Sequence, residues 1–356
     1  MDSSVAAASL VKQGYQVVGL TMHVWDYELV GGNFDNETAC CSIEAMNDAR
    51  TVCHKLGIPH YTINLKQIFL DRIIRNFIDE YLKGRTPNPC VLCNREIKWG
   101  ALLRKAEGLG AKKIATGHYA RCVKDEKTGR LQLLRGIDRK KDQAYALWPL
   151  AQTQLAKTIL PIGTLTKSEV RAIADELELK TARKAESQEI CFIPDNNYER
   201  FLKQQIPGLE KQIQQGEIVN ETGQVVGYHR GYPFYTIGQR KGLQIATGRR
   251  VYVNRIDPNA NQVHIGGKAS VRSNGLIAHR INWVSIPAPK ESLGVTAKIR
   301  YNDPGFSARL IPLADDRVKL AFETPQNAVT PGQSAVFYDG EMLLGGGFIE
   351  KAIQSA

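Results

Sequence analysis

Three cysteines concentrate the reactive chemistry of this chain. Cys90 and Cys93 form a C-x-x-C pair directly after Thr86-Pro87-Asn88-Pro89, and Cys191 lies in Ser187-Gln188-Glu189-Ile190-Cys191-Phe192-Ile193. The pair sits between a proline-stiffened loop and a helix expected to begin near Glu96. Unpaired N–H groups and the helix dipole favour thiolate at such a place, and Arg95 and Lys98 add positive charge. A thiolate can attack an electrophile or bind a metal. As a zinc site the pair lacks two ligands, because the chain has no second C-x-x-C and no H-x-x-x-H. Adding Cys191 gives three thiols, which leaves a zinc or iron–sulfur site with one open position as an alternative. The plain alternative is packing: free cysteines are often simply buried, and Cys191 among Ile190, Phe192 and Ile193 reads equally well as core. A thioredoxin-type redox enzyme fits poorly, because its C-x-x-C follows the first strand of a βαβ unit.

The elements that must position these thiols alternate in the first half. Asp2-Ser3-Ser4 can cap a helix from Val5 to Gln13 that stops at Gly14, and Tyr15 to Met22 reads as a buried strand. Ile43 to Leu56 is helical, Tyr61 to Leu65 strand-like, and Gln67 to Lys83 a long amphipathic helix. Glu96 to Glu107 is a further helix, and Lys113 to Thr116 a short strand running into Gly117-His118. Such alternation predicts a parallel sheet with helices on both faces, which binds ligands beyond the carboxyl ends of its strands. Thr166-Lys167-Ser168-Glu169 has the form of a capping box for a helix running to about Leu179. After Pro194 glycine and proline become frequent, and helical periodicity fades beyond 198–215. Short alternating runs follow at 250–253, 262–265, 295–301, 307–313, 318–323 and 334–338, the pattern of small barrels. The expected class is an α/β, parallel-sheet unit followed by a small central domain and a C-terminal β-barrel, divided as 1–194, 195–270 and 271–356.

The chain has 356 residues, 43% hydrophobic and 23% charged, with a mean hydropathy of −0.29, ordinary for a globular protein. No apolar run approaches the roughly 18–20 residues of a membrane span, so no membrane partner is expected. The N-terminus lacks the basic region of a secretory signal. Seven cysteines, odd in number and unevenly spaced, fit a reducing cytoplasm rather than a disulfide scaffold. Net charge is +11, and Arg95 to Asp142 alone holds fourteen basic and six acidic residues, a local excess of +8. That suits a polyanion such as nucleic acid; a solvated surface with a chance excess is the alternative. Tyr228-His229-Arg230-Gly231-Tyr232 interleaves aromatics with cations, for stacking on unpaired bases or, more simply, for core packing.

Taken together, several motifs carry a resemblance. They are Met1-Asp2-Ser3-Ser4, Gly19-Leu20-Thr21-Met22, Gly84-Arg85-Thr86-Pro87-Asn88-Pro89, Leu92-Cys93-Asn94, Ala115-Thr116-Gly117-His118-Tyr119, Lys141-Asp142-Gln143, Ile190-Cys191-Phe192-Ile193, Gly238-Gln239-Arg240-Lys241-Gly242-Leu243 and Pro331-Gly332-Gln333-Ser334-Ala335-Val336. In this order, and over essentially the whole length, the chain resembles the tRNA-specific 2-thiouridylases (the MnmA family), a branch of the N-type, PP-loop ATP pyrophosphatases with a Rossmann-like domain. The resemblance implies ATP-dependent 2-thiolation of a tRNA wobble uridine: ATP, with Mg2+, adenylates the carbon-2 oxygen, and sulfur from a cysteine persulfide replaces it as AMP leaves. It implies Cys191 as persulfide carrier and Cys93 as the nucleophilic second thiol, which resolves the persulfide and leaves a transient Cys93–Cys191 disulfide. The two stand 98 positions apart, and a disulfide needs Cα atoms within about 7 Å, so at least one loop must move. It further implies Met22, Gly117, Asp2 and Ser3 at the nucleotide. Asn88, Pro89 and Cys90 would meet the target base, and His118, Lys141, Asp142, Gln143, Arg300, Tyr301 and Gln333 the tRNA. A persulfide donor, fed by a cysteine desulfurase relay, is the implied protein partner, and the cytoplasm the implied compartment.

Two departures qualify the match. Cys90 stands where some relatives have an aspartate assigned to acid–base work, and a thiol does not inherit that role. The family's first strand and the Ser-Gly-Gly of its phosphate loop have no counterpart before Met1, which makes a miscalled translation start the leading expectation. A chain that truly began at Met1 would be expected to bind nucleotide poorly and to have an edge-deprived sheet. A non-catalytic tRNA-binding protein is the alternative that this loop suggests. A different pyrophosphate-loop ligase is disfavoured by the thiol pair, the basic segment and the β-rich tail.

Overall fold

The computed structural model describes residues 1–26, 43–183, 190–246 and 248–354. Cys40, Cys41 and the Ser187-Gln188-Glu189 part of the Cys191 motif lie outside the described residues. Sixteen strands are described: β1 Gly19–His23, β2 His60–Asn64, β3 Ile114–Ala115, β4 Ala120–Lys124, β5 Leu131–Arg135, β6 Thr158–Ile159, β7 Gly216–Val219, β8 Val225–His229, β9 Tyr252–Asp257, β10 Gln262–Gly266, β11 Arg272–Trp283, β12 Leu293–Lys298, β13 Phe306–Pro312, β14 Arg317–Asn327, β15 Ser334–Asp339 and β16 Met342–Gln354.

The first unit is α/β, and its sheet is parallel as expected. It comes as two two-stranded pieces, β1 beside β2 and β3 beside β6. The strand expected at 15–22 starts only at Gly19 and is half-buried. The first helix is Asp2–Lys12, with Met1 at its N-cap and no side-chain cap, so Asp2 to Ser4 form its first turn instead of preceding it. Residues 66–82 form one helical stretch, α at Lys66–Phe69 and Arg75–Leu82 with a π-helical turn at Leu70–Ile74 between them. The thiol-bearing helix also starts earlier than expected: Pro89–Leu92 is its first turn, Cys93–Leu102 is π-helical, and Leu103–Gly108 completes it. Proline at the first helical position and Asn88 as cap outweigh the later start suggested by Glu96, because Pro89 needs no N–H partner there. The capping box at Thr166 is present, and its helix runs from Lys167 to Glu176.

The central unit is a four-stranded sheet in the order β8-β7-β10-β9. Its helical lead-in breaks at Gly208, in the left-handed region, into Tyr198–Gln205 and Leu209–Ile213. The last unit is a six-stranded barrel, β11-β14-β13-β12-β15-β16, closed by β11 on β16. Closure removes the open edges that an isolated sheet would expose. The barrel has its own core, including Leu276, Leu310, Leu320 and Phe337, whereas one continuous core runs from the 66–82 helix into the central unit.

One connection differs from a simple succession of units. The β4–β5 hairpin lies within the first unit's sequence but extends the barrel sheet, with Leu133 opposite Leu343 and Leu134 opposite Met342. Arg121 pairs with Glu341 at 2.5 Å, and Arg139 pairs with the other oxygen of the same carboxylate. Arg130 donates to the carbonyl oxygens of Trp283 and Val284, and the Arg135 guanidinium lies 4.1 Å over the Tyr338 ring. Four cations of the basic segment, Arg121, Arg130, Arg135 and Arg139, are therefore engaged by the barrel sheet.

Candidate active site

The loop that delivers Cys90 and Cys93 is held from the barrel. Thr86 donates its N–H to the Pro331 carbonyl at 2.9 Å, and the Gln333 side-chain amide donates to the carbonyls of Pro87 at 2.9 Å and Thr86 at 3.2 Å. Gly332 is required between them: its φ is +92°, and a Cβ there would stand 2.6 Å from the Thr86 oxygen. The Asn88 side chain then accepts from the Val91 N–H at 3.4 Å. In the helix that follows, Cys90 is exposed and Cys93 part-buried. Buried Asn94 ties this helix down by donating to the Ala146 carbonyl at 2.8 Å.

Cys191 is positioned by its neighbour. Phe192 is 1% exposed and packs edge-on against Phe69 and Phe77, with ring centroids 5.7 and 5.2 Å apart, and against Phe201 at 5.2 Å. Burying one phenyl ring contributes about 1.5–3 kcal/mol, enough to fix the chain at this point. The 66–82 helix that supplies Phe69 and Phe77 also packs its Leu70–Ile74 turn on Pro89–Leu92. Both thiol-bearing segments thus lean on one helix, and part-buried Cys93 and Cys191 both pack against the same core. By contrast, burial pushes the thiols of Cys53 and Cys122 up, which holds them protonated and poorly nucleophilic. Among the described residues no group of three or more His, Cys, Asp and Glu side chains is placed to hold a metal ion.

A second corner gathers three of the four residues expected at a nucleotide. A Cβ on Gly117 would lie 2.6 Å from the backbone of both Asp2 and Ser3, so Gly117 is packed directly on the uncapped first turn of the Asp2–Lys12 helix. The Asp2 carboxylate accepts from the Lys167 ammonium at 2.8 and 2.9 Å and from the Tyr119 hydroxyl at 3.1 Å. An uncapped helix N-terminus beside a nearly buried lysine is suited to a phosphate. Met22 stands apart in β1, opposite Ile63.

His118 connects this corner to the thiol helix. Its Nδ1 is 2.7 Å from the Thr116 hydroxyl and its Nε2 is 3.4 Å from the Lys98 ammonium; the ring is buried and tilted on Trp99 at 5.5 Å. Burial first, and Lys98 second, hold its pKa well below the usual histidine range, so it is a neutral imidazole. In the sequence Lys98 stands out only for its charge; its reach to His118 needs the fold.

Of the other expected tRNA contacts, the side chains of Asp142, Gln143 and Arg300 bond to backbone groups of the chain itself. Asp142 accepts from the N–H groups of Gly136 and Ala144, each at 3.1 Å. Gln143 accepts from the Tyr119 N–H at 3.0 Å, while the Lys141 N–H donates to the Asp138 carbonyl at 3.1 Å. Arg300 donates to the carbonyls of Asn327 and Ala328. Tyr301 is 42% exposed and meets Tyr145 edge-on at 6.1 Å. In the aromatic–basic run, His229 and Tyr232 are buried and Tyr228 is 71% exposed, so packing accounts for both buried rings and leaves Tyr228 outside.

A cleft of about 890 Å³ opens between the thiol loop, the central unit and the barrel, and neither Cys93 nor Cys191 lines it. Thr86 of the loop, residues 195–199 just after Cys191, residues 236–239 of the central unit, and Arg300, Thr330 and Gln333 of the barrel line it. Its carboxylates are neutralised: Asp195 is bonded to Arg200 at 2.6 Å and Glu199 to Arg230 at 2.9 Å. Nothing in the sequence alone marks residues 195–199 and 236–239 as cleft walls, although Gly238-Gln239 opens one of the motifs.

Comparison with known proteins places the same arrangement in context. The family profile described as the tRNA methyl transferase HUP domain matches residues 1–195. The tRNA methyl transferase PRC-barrel domain matches 199–267 and the aminomethyltransferase beta-barrel domain 273–349. The tRNA-specific 2-thiouridylase MnmA of Salinibacter ruber is 51% identical over 352 residues, covering 99% of this chain and 92% of its own. MnmA 1 of Caldanaerobacter subterraneus subsp. tengcongensis is also 51% identical, over 354 residues, with coverage of 99% and 96%. Among solved structures, the U34-tRNA thiolase NcsA from Methanococcus maripaludis with its [4Fe-4S] cluster aligns with 58% of this chain and 64% of its own at 20% identity and a TM-score of 0.31, a likeness too low to bear on this chain's chemistry.

Proposed function

The chain belongs to the tRNA-specific 2-thiouridylase family, and we propose that its tRNA thiolation runs through Cys93 and Cys191, the thiols of the two segments braced on the 66–82 helix. The proposed division of labour is 1–194 for catalysis, 195–270 as an adaptor and 271–356 as a barrel that braces the site. The observation that carries the reading is the common support of the two thiol segments: Phe192 on Phe69 and Phe77, and Pro89–Leu92 on the turn between those same two phenylalanines.

In the proposed cycle ATP, accompanied by Mg2+, binds with its phosphates at the first turn of the Asp2–Lys12 helix, beside Gly117 and Lys167, with Met22 toward the adenine. Asp2 is the carboxylate at that helix end. The uridine carbon-2 oxygen attacks the α-phosphorus, and pyrophosphate leaves. The carbon–oxygen bond, unbreakable while it ends in a poor leaving group, now ends in AMP. A donor protein has meanwhile placed a sulfane sulfur on Cys191. The Cys93 thiolate attacks the Cys191 sulfur, forming the Cys93–Cys191 disulfide and releasing hydrosulfide; hydrosulfide adds at carbon-2 and AMP departs. An external dithiol returns both cysteines to thiols. Asn88, Pro89 and Cys90 border the base in this reading, while His118, Lys141, Asp142, Gln143, Arg300 and Tyr301 shape the surface that meets the tRNA in the cytoplasm, and Gln333 holds the thiol loop in place. No helix among the described residues is long and apolar enough to cross a membrane.

The direct test incubates the protein with ATP, unmodified tRNA bearing a wobble uridine, and a persulfide-charged donor, then digests the RNA to nucleosides. The reading requires 2-thiouridine and one AMP per sulfur transferred, both lost in Cys93→Ser and in Cys191→Ser. Full activity in either variant sinks it.

A further inference from the structure

The proposed cycle gives no chemical step to one thiol of the C-x-x-C pair. Cys93 and Cys191 end the cycle joined as a disulfide, whereas Cys90, three positions before Cys93, only borders the base. Yet Cys90 is the exposed thiol of the three, and Cys93 and Cys191 are part-buried and packed against the core that supports both of their segments. Their disulfide must be reduced before Cys191 can accept another sulfur. Thiol–disulfide exchange proceeds by direct attack of one sulfur on another, so its rate depends on access. A bulky protein dithiol meets Cys90 more readily than it meets either half-buried partner.

The backbone puts Cys90 within reach of Cys93. Pro89–Leu92 is helical, and Cys93 continues the helix with φ −60° and ψ −42°. Residues three apart on such a turn have Cα atoms roughly 5 Å apart, inside the approximately 4.4–6.8 Å that a disulfide spans. Their Cβ atoms, roughly 5–6 Å apart, must close by about 1–2 Å. The first turn has the slack for this. Its two bonds to Asn88, from the Leu92 N–H to the carbonyl and from the Val91 N–H to the side chain, are both long at 3.4 Å. Asn94, next to Cys93, is instead clamped to the Ala146 carbonyl at 2.8 Å, so the give lies on the Cys90 side.

Resting on the thiolation reading, we infer that Cys90 is a relay thiol, which passes electrons from an external protein dithiol to the Cys93–Cys191 disulfide. The Cys90 thiolate attacks Sγ of Cys93, one helical turn away. A Cys90–Cys93 bond forms, the Cys93–Cys191 bond breaks, and Cys191 leaves as a thiolate ready for the next persulfide. The proton shed by Cys90 balances the one that Cys191 takes up. The external dithiol then reduces the Cys90–Cys93 disulfide, giving up two electrons and becoming a disulfide itself. Because the target base lies at Cys90 in the proposed cycle, the exchange follows departure of the thiolated tRNA.

The test follows both disulfides through one turnover. Full-length protein charged with persulfide is mixed with ATP and tRNA without reductant, quenched at intervals with N-ethylmaleimide and digested with trypsin unreduced. Cleavage after Arg85 and Arg95 leaves Cys90 and Cys93 together in one 86–95 peptide. The Cys93–Cys191 cross-link should form first and then give way to an 86–95 peptide lighter by one hydrogen molecule, as Cys191 becomes open to the label. In Cys90→Ser the cross-link should persist. A second arm measures steady-state thiolation with either reduced thioredoxin or dithiothreitol as the dithiol. Cys90→Ser should lower the thioredoxin-supported rate about tenfold more than the dithiothreitol-supported rate, because the small dithiol reaches Cys93–Cys191 unaided. A role in base contact or in folding would lower both rates alike, and that result overturns the relay. So does a parent cross-link that never yields the lighter peptide, or a lighter peptide that forms equally in Cys191→Ser and is then mere adventitious oxidation. If the parent chain never forms the Cys93–Cys191 cross-link, the thiolation reading itself fails and the relay falls with it.

Discussion

Gln333 reaches across from the barrel and donates its side-chain amide to the carbonyl of Pro87 at 2.9 Å, although 246 positions separate the two residues in sequence. Asn88, Cys90 and Cys93 follow Pro87 at once. The barrel is thus coupled to the thiols through a side chain that sequence comparison alone would assign to tRNA contact, and both roles predict a loss of activity on mutation. They differ in what else moves.

Gln333→Ala removes two hydrogen bonds to loop carbonyls, each contributing about 0.5–1.5 kcal/mol net. Single-turnover thiolation should slow about tenfold, since small misplacements of a reacting group are expensive. The Kd for tRNA should stay within about twofold of the parent, as only positioning is lost. Gln333→Glu turns an acceptor toward two carbonyls and should be worse. A variant that loses tRNA affinity in proportion to its rate would mean that Gln333 works on the RNA and not on the loop.

Gly117→Ala tests the nucleotide corner. The new Cβ would lie 2.6 Å from the Asp2 carbonyl carbon and the Ser3 nitrogen, with backbone on both sides and no flexible tip to yield. Overpacking of this kind costs about 1–3 kcal/mol, and the first turn of the Asp2–Lys12 helix must shift. ATP affinity, measured by calorimetric titration, should fall at least about tenfold if a phosphate depends on that turn. An unchanged ATP affinity with a lowered melting temperature would make Gly117 a packing residue only.

The acid limb of stability follows from the histidines. His60, His118, His229, His264 and His279 are all lowered from 6.5, each chiefly by burial. A depressed folded pKa means that the unfolded chain binds the proton first. Stability is therefore full above about pH 6.5 and falls as pH drops below it toward the folded values. The hydrogen-bonded carboxylates Asp125, Glu169, Asp195 and Glu341 are also lowered, but their loss begins only below about pH 4.5, so the two limbs separate. Urea midpoints between pH 7 and pH 5 should decline in the parent chain and decline less in His118→Gln. An identical slope in the two would show that His118 takes up no proton on unfolding in this range.

The chemistry, the class of fold and the barrel's shorter strands are legible in the sequence, because each is written in local patterns. What stays hidden there is long-range. β11 and β16 are the two longest strands, yet neither shows as one of the short alternating runs. β16 passes through Gly345-Gly346-Gly347, and glycine weakens any strand signal. The fold needs those glycines: a Cβ at 345 would strike the Asn282 carbonyl at 2.4 Å, and one at 346 the Trp148 ring at 2.8 Å. Likewise β4 and β5 read as part of a basic surface, and only the pairing of β5 with β16 shows why Arg121 and Arg130 are there. Asp142 and Gln143 match a motif, but their side chains face backbone N–H groups, a fact set by the turn they close.

The thiols offer a test of assignment by labelling. With Cys53 and Cys122 pushed toward the protonated form by burial, iodoacetamide at neutral pH should modify exposed Cys90 and part-buried Cys93 and Cys191 first. In protein charged with a persulfide donor before alkylation, the Cys191 peptide alone should carry one additional sulfur atom beneath its label. In Cys93→Ser that persulfide should persist after ATP and tRNA are added, because nothing resolves it. In the parent chain it should give way to a Cys93–Cys191 cross-linked peptide under non-reducing digestion. Persulfide found on Cys90 or Cys93 instead would reverse the assignment.

Phe192 separates position from reactivity. Its ring holds Cys191 through Phe69, Phe77 and Phe201, yet it touches no reacting atom in the proposed cycle. Phe192→Leu keeps the site apolar and should cost the fold about 1–2 kcal/mol, less than the roughly 3–5 kcal/mol expected of Phe192→Ala. If the aromatic cluster sets where Cys191 stands, Phe192→Leu should accept sulfur from the donor at the parent rate but pass it to tRNA about tenfold more slowly, since approach of the two cysteines is the geometrically demanding step. The alkylation rate of Cys93, on its separately braced helix, should not change. Parent-level transfer from a folded Phe192→Leu protein would show that the reach of Cys191 is governed elsewhere, and would remove the common helix as the device that brings the thiols together.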